Sequence, residues 1–355
     1  MAVLNLADKF AGRMEKQWYK DSFVRPHTNG SLEFDGVDTV KVYVPTTVPL
    51  VDYDRTAKAN RYGDPSEIVP NVHLYKMQQD KSYTGVIDLG NARSRTIGAA
   101  TGEWVKNQNA RVVIPEADRY ALRRFAQFGK VVELGGSVTL GTDNALAQIE
   151  SARRAFVNGR VPVDSRVAWA TSEFIGYLAE SKQFTEVDKL VERAVVKGEI
   201  GVCKTFRFIE VPEDLMPAGC HFIAAHKSAL VQADKITELK INTSPQGYSG
   251  TLIEARSLYD AFVIGSLAEG VYALVQNGVK QACDVKISAH TATVTAAGAS
   301  EIYYTLDGSD PRFSRSRAII ASGGTVPTTA GQTIRAVAFA ADGKYTSDVV
   351  SATDK

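Results

Sequence analysis

Cysteine is scarce in this chain. Cys203, Cys220 and Cys283 are the only three among 355 residues, an odd, widely spaced set that makes no disulfide framework and fits a reducing compartment. Long apolar runs are also missing. There is no stretch of about 18 apolar residues, and the opening MAVLNLADKFAGRMEKQWYK has no apolar h-region, so neither a membrane span nor a secretory signal is expected. Neither charge sign dominates. With 41 basic and 40 acidic side chains the formal net charge is +1, which excludes the field of a dedicated nucleic-acid binder or a polybasic membrane protein. Near-neutrality permits identical copies to approach one another closely.

Signatures of chemistry are lacking too. The chain contains no GxxxxGK[ST] and no GxSxG. KGEIGVCKTF holds Gly198 and Gly201 but lacks the third glycine and the strand-to-helix context of a dinucleotide loop. Histidine is sparse and scattered, at His27, His73, His221, His226 and His290. Cys220, His221 and His226 make a CH....H pattern without the second ligand pair that a structural zinc site needs, and HFIAAH reads better as a buried strand with a polar residue at each end. Cys203 reads as a small buried hydrophobe. Asp52, Asp54 and Asp64 do not have the spacing of an EF-hand and read as solvated loop charge. No catalytic residue, cofactor or metal is expected.

What is present is ordinary globular material, 44% hydrophobic and 23% charged, enough for two or three domains. Leu4, Leu6, Phe10, Met14, Trp18 and Tyr19 recur at roughly helical spacing, as a helix packed on its own domain or an arm packed on a neighbouring copy. Val40, Val42 and Val44 alternate with Lys41 and Tyr43, and a second alternating run covers His73 to Met77. Between them lies the polar stretch VDYDRTAKANRYGDPSEIVP. Two strands joined by such a tip make a protruding hairpin, which lacks a core of its own and needs a surface to lie on. GEWVKNQNARVVI and PEADRYALRRFAQFG read as helix, continuous with a kink at Pro115 or broken there, with Gly129 as the stop. Glu116 and Asp118 sit in the first turn after the proline, where the dipole favours negative charge. TDNALAQIESARRAFVNG, RVAWA and TSEFIGYLAES then alternate helix, strand and helix. From residue 284 onward, short β-stretches are separated by turn signals about every ten residues, the pattern of a small all-β sandwich.

The order of these pieces resembles the major capsid protein of tailed bacteriophages, the Hong Kong phage type fold shared with herpesvirus shells. VVIPEADRYALRRFA resembles the end of that family's spine helix, and NGRVPVDSRVAWATSEFIGYLAESKQF its axial domain. VVKGEIGVCKTFRFIEVPEDLMP resembles its G-x-I-G turn and the strand that follows, and RSLYDAFVIGSLAEGVYAL the strands returning to the peripheral domain. EIYYTLDGSDP…TIRAVAFAADGKYTSD resembles the immunoglobulin-like module attached to chitobiases and hexosaminidases, with its Y-T-x-D-G-x-x-P turn. The resemblance implies an α+β capsid fold divided into an N-terminal arm (1–30), an extended hairpin loop (31–89), a spine helix with peripheral domain (90–141), an axial domain with returning peripheral strands (142–283) and an immunoglobulin-like sandwich (284–355).

It also implies a function: a coat subunit that assembles into hexamers and pentamers of an icosahedral shell around double-stranded DNA, formed in the host bacterial cytoplasm. Its partners would be other copies, a separate scaffolding protein, a portal protein, weakly held DNA and, through the outward-facing last module, a host-surface glycan. That module is expected to be separable from the shell-forming part. Inter-subunit contact is expected of Trp18, Val42, Val44, Tyr53, Arg55, Arg61, Tyr62 and Tyr75. Arg119, Arg123 and Arg124 are expected to form a DNA-facing basic patch or, in the plainer reading, a solvated and ion-paired helix face. Asp307, Gly308 and Asp310 make an exposed turn in the last module. Two rivals stand beside this reading: the shell subunit of a cargo-carrying, encapsulin-like nanocompartment, and a secreted carbohydrate-binding protein.

Overall fold

A computed structural model of the chain describes residues 22–30, 34–35, 39–44, 48, 50–53, 55–56, 60–63, 71–88, 97–136, 138–181, 199–243, 245–247, 249–340 and 345–355. Trp18 and the helix expected over residues 4–20 lie outside them.

The centre is a six-stranded mixed sheet. Its members are β5 (Lys130–Glu133), β6 (Arg166–Thr171), β7 (Glu199–Cys203), β8 (Phe206–Val211), β9 (Cys220–His226) and β12 (Val271–Val275), in the order β5-β12-β9-β6-β8-β7. Strand alternation divides its side chains between two cores. Val167 and Trp169 of β6 and Ala273 of β12 point to one face, with Leu122 and Phe125. Ala168, Ala170 and Leu274 point to the other, with Ile149, Phe156 and Phe174. The second face is covered by α3 (Ala145–Asn158) and α4 (Ser172–Glu180). Thr171 caps α4, its hydroxyl accepting from the Phe174 amide at 3.3 Å.

The first face is covered by α2 (Ile114–Phe128), the second part of a long helix that begins as α1 (Ile97–Gln108) with no break between them. Residues Asn109–Val113 form a π turn, and the Ile114 amide donates to the Asn109 carbonyl. The wider turn sits directly before Pro115, whose ring obstructs a tight preceding turn and which has no amide to donate. Along α2, Asp118, Ala121, Leu122, Phe125 and Ala126 are buried, the i, i+3, i+4, i+7, i+8 stripe of a helix lying on a core. A second antiparallel sheet, β10-β11-β4, packs beside this helix, from β10 (Leu230–Asn242), β11 (Gly250–Val263) and β4 (Gln79–Asp88). Gly85 of β4 leaves room for the Trp104 ring of α1, which a Cβ would meet at 2.7 Å.

The hairpin is present as β2 (Thr39–Val44) paired antiparallel with β3 (Asn71–Lys76), with the two-residue β1 (Phe34–Asp35) alongside. The chain passes directly from β3 into β4, so the hairpin grows out of the second sheet.

After β12 the chain builds two small sheets. β13 (Asp284–Ser288), β14 (Thr291–Thr295) and β17 (Gly324–Pro327) form one; β16 (Ala318–Ile320), β15 (Ala299–Thr305), β18 (Thr333–Ala340) and β19 (Val350–Thr353) form the other. Val294, Ile302, Ile334 and Ala336 fill the space between them. This sandwich does not hang from a linker, contrary to the separable module expected. Tyr345, 1% exposed, belongs to the core of the six-stranded sheet. Its hydroxyl donates to the Ala218 carbonyl at 2.9 Å and its amide to the Val279 carbonyl at 3.0 Å. Phe313 and Phe339 both pack on Phe128 at the end of α2.

Candidate functional site

The hairpin presents two regions of opposite character. At its base, Tyr75 lies flat on Phe262 of β11, with ring centroids 4.2 Å apart and an interplanar angle of 8°. The Gly265 amide donates to its hydroxyl at 3.1 Å, and burial pushes the phenol above its ordinary pKa. Met77 is buried beside Val231, Leu258 and Phe262. Tyr75 therefore makes its ring contact within its own subunit. The hairpin base has an internal platform that strand alternation alone did not reveal, because the platform is supplied by residues nearly two hundred positions later in the chain.

The tip is different. Leu50 is fully exposed (102%) and Tyr62 is 85% exposed, with Val48, Val51 and Tyr53 also open to solvent. Tyr53 and Tyr62 meet edge to face at 5.0 Å between centroids. Arg55 and Arg61 are exposed beside them. Val42 pairs with His73 and Val44 with Asn71 in the hairpin ladder. Of the three tip aspartates, Asp54 and Asp64 lie outside the described residues.

The three arginines of α2 have separate surroundings. Arg119 donates to the Asp214 carbonyl at 2.9 Å and pairs with Glu116 at 3.0 Å and Asp214 at 3.2 Å. Arg124 lies over the Phe128 ring, 4.5 Å from its centroid. Arg123 is exposed. Asp118, expected as a dipole partner in the first turn, is instead a buried clasp, 1% exposed. It accepts from the Ser22 hydroxyl at 2.6 Å and the Phe23 amide at 2.8 Å. Trp169 donates its ring N–H to the Phe23 carbonyl at 2.9 Å. Residues 22–30 are thus bound under the helix. Burial raises the Asp118 pKa against the opposing effect of those hydrogen bonds.

The end of α2 is where the last module attaches. The final carbonyls of a helix have no partner within it. Here Thr346 donates to the Gln127 carbonyl, and Arg312 donates to those of Phe128 at 3.0 Å and Gly129 at 3.2 Å. A cation at this end also faces the negative pole of the helix. Asp310 holds the guanidinium in place at 2.7 Å. Asp310 is therefore a positioning group inside the joint. Asp307 folds the turn itself. It accepts from the Ser309 amide at 2.9 Å and from the Ser309 and Ser316 hydroxyls, which hold its carboxyl below the usual range. Gly308 takes the left-handed φ of +74° that the turn requires. The Asp-Gly turn is thus a structural device, and its signal in the sequence is the Y-T-x-D-G-x-x-P pattern.

His221 and His226, five residues apart on β9, are separated by roughly 16 Å along the strand, too far to share one ion. Among the described residues no group of His, Cys, Asp and Glu gathers closely enough to hold a metal, and no helix is long and apolar enough to cross a membrane.

Residues 291–353 match the family model described as Fn3 associated. No curated protein matches the chain. Solved structures do. A structure of Mycobacterium phage Che8 is 20% identical with a TM-score of 0.57, over 75% of this chain and 96% of that one. The asymmetric unit of the bacteriophage PhiM1 mature capsid is 14% identical with a TM-score of 0.54, over 76% and 92%. The head structure of Helicobacter pylori bacteriophage KHP40 is 10% identical with a TM-score of 0.54, over 77% and 95%. The axial six-stranded sheet, the long helix with its second sheet and the hairpin are together the capsid fold of tailed bacteriophages, and this chain has that fold with a β-sandwich joined to the end of the long helix.

Proposed function

We propose that this chain is a phage coat subunit whose copies assemble into the hexamers and pentamers of an icosahedral shell around double-stranded DNA. The observation that carries the reading is the hairpin: held at its base by Tyr75 and Met77, it presents Leu50, Val51 and Tyr62 to water at its tip. Such a cluster of exposed apolar side chains marks an interaction site, and covering it gains about 25 cal/mol per Å². A tip that leaves its own subunit and is covered by the next makes a heterologous contact, the kind that closes rings. Each contact can be weak, because neighbours in a lattice meet at high effective concentration. The similar structures, a mature phage capsid and a phage head, support the reading.

On this reading the shell forms in the host cytoplasm with a separate scaffolding protein and a portal, and DNA is held by weak nonspecific contact. A net charge of +1 suits that, since counterion release scales with the phosphates neutralised. The C-terminal module braces the subunit. Its exposed three-stranded sheet carries the cross-strand row Lys286, Thr293 and Thr325, with no aromatic ring for a sugar to stack on, and no glycan contact is proposed. The test is size-exclusion chromatography with light scattering and negative-stain microscopy of the purified full chain. Capsomers or shells are expected; a chain that stays monomeric at every accessible concentration contradicts the reading.

A further inference from the structure

A pocket of about 320 Å³ opens between residues 22–30 and one end of the six-stranded sheet, lined among others by His27, Ser165, Arg166, Thr205, Arg207 and Lys227. The volume is at the small end for ligand sites. Three of its lining residues carry full positive charges and none is acidic. Arg166 is 3% exposed. Its guanidinium donates to the carbonyls of Val161 at 2.6 Å and Pro162 at 2.7 Å and to the Thr205 hydroxyl at 3.0 Å, with no carboxylate in ion-pair contact among the described residues. Those bonds use three of its five N–H groups. The guanidinium also lies near the Phe156 and Phe206 rings, 5.3 and 5.8 Å from their centroids, and Asp164 acts on it electrostatically without ion-pair contact. Its two remaining N–H groups suit an anion, which a buried cation favours. Lys227 is also oriented, its ammonium donating to the Pro26 carbonyl at 3.3 Å. Two lining residues, Ser165 at φ +56° and Thr205 at φ +81°, hold left-handed backbone without being glycine, as residues at functional sites often do.

We propose that this pocket binds a phosphomonoester dianion. A carboxylate offers one negative charge and two acceptor oxygens, whereas a phosphomonoester near neutral pH offers about 1.5 to 2 charges and three strong acceptor oxygens, enough to meet donors on several sides of the pocket. The guanidinium fork of Arg166, the Arg207 and Lys227 charges and the Ser165 and Thr205 hydroxyls suit such an oxyanion. The apolar walls, Val163, Val167 and Val202, suit the carbon skeleton of the ester.

The proposal is tested by isothermal titration of the full-length chain with inorganic phosphate at constant ionic strength. Saturable binding at one site per subunit is expected, with acetate about tenfold weaker or more. Arg207→Ala and Lys227→Ala are each expected to weaken phosphate binding about tenfold. Both side chains are exposed, and a cooperative melting curve in phosphate-free buffer checks that each variant still folds. Two competitors then distinguish the source of the group, a nucleoside 5′-monophosphate and a short oligodeoxynucleotide with a 5′-phosphate. Competition by either supports the pocket and identifies its ligand as a free nucleotide or a nucleic-acid end. Phosphate binding that does not saturate, acetate binding as tight as phosphate, wild-type affinity in both variants, or competition by neither ester overturns the proposal.

Discussion

The hairpin and the C-terminal sandwich both look like appendages, yet they are opposites in how they meet the rest of the molecule. The sandwich is fastened at three points. Tyr345 enters the axial core, Arg312 and Thr346 satisfy the last carbonyls of α2, and Phe313 and Phe339 close on Phe128. The hairpin is fastened only at its base, and its tip keeps large apolar side chains in water. A segment's separateness in sequence therefore does not decide whether it stands free; its burial and hydrogen bonding do. The module that reads as removable acts as the cap of the central helix. The hairpin that reads as lacking any platform has half of one.

The comparison breaks most sharply under truncation. Ending the chain at residue 283 uncovers Phe128, strips the Gln127, Phe128 and Gly129 carbonyls of their donors and empties the Tyr345 site. Loss of soluble, cooperatively melting subunit is expected, read by circular dichroism and yield. Deleting residues 50–63 is expected to leave melting unchanged while abolishing particles, read by calorimetry and microscopy of the same samples. Tyr345→Ala follows in size: a cost of about 3–5 kcal/mol, as for other large buried rings, measurable by denaturant unfolding. Arg312→Ala is expected to cost about 1–2 kcal/mol, from lost charge-assisted bonds to the helix end, and Arg312→Lys to recover only part of it, since an ammonium has no fork. At the tip, Leu50→Ser is expected to stay within about 0.5 kcal/mol of the parent in the unassembled subunit. The same change should raise the concentration needed for assembly about tenfold, as loss of a covered anchor does.

The smallest expected effect is on pH dependence. Burial raises the folded-state pKa of both Asp118 and Asp260. In the window between the ordinary aspartate value and the raised one, the folded state holds more protons than the unfolded. Stability from these groups is complete below the unfolded pKa and declines as pH rises through the folded one. Asp118→Asn should flatten that part of the stability profile, read by unfolding at several pH values.

Much of the fold was legible because it is written in local periodicity. The alternation around Val42 and the stop at Gly129 each depend on residues a few positions apart. The joints were not. Ser22 meets Asp118, Tyr75 meets Phe262, and Thr346 meets Gln127 across separations of 96 to 219 residues for the two hydrogen bonds, and nothing in the spacing of either partner announces the other. Asp118 misled for a physical reason: an acid just after a helix proline has an adequate solvent role, so its burial is invisible without the segment that covers it. The pocket residues were missed likewise, since Arg166, Arg207 and Lys227 come from three strand ends brought together only by the sheet order.

Hydrogen exchange on the unassembled subunit and on assembled particles tests the central claim most directly. The amides of residues 50–63 should exchange rapidly in the free subunit and slow markedly in particles, while those around Tyr345 and the end of α2 stay slow in both. A tip already protected in the free subunit, or one whose exchange is the same in both states, would contradict the account.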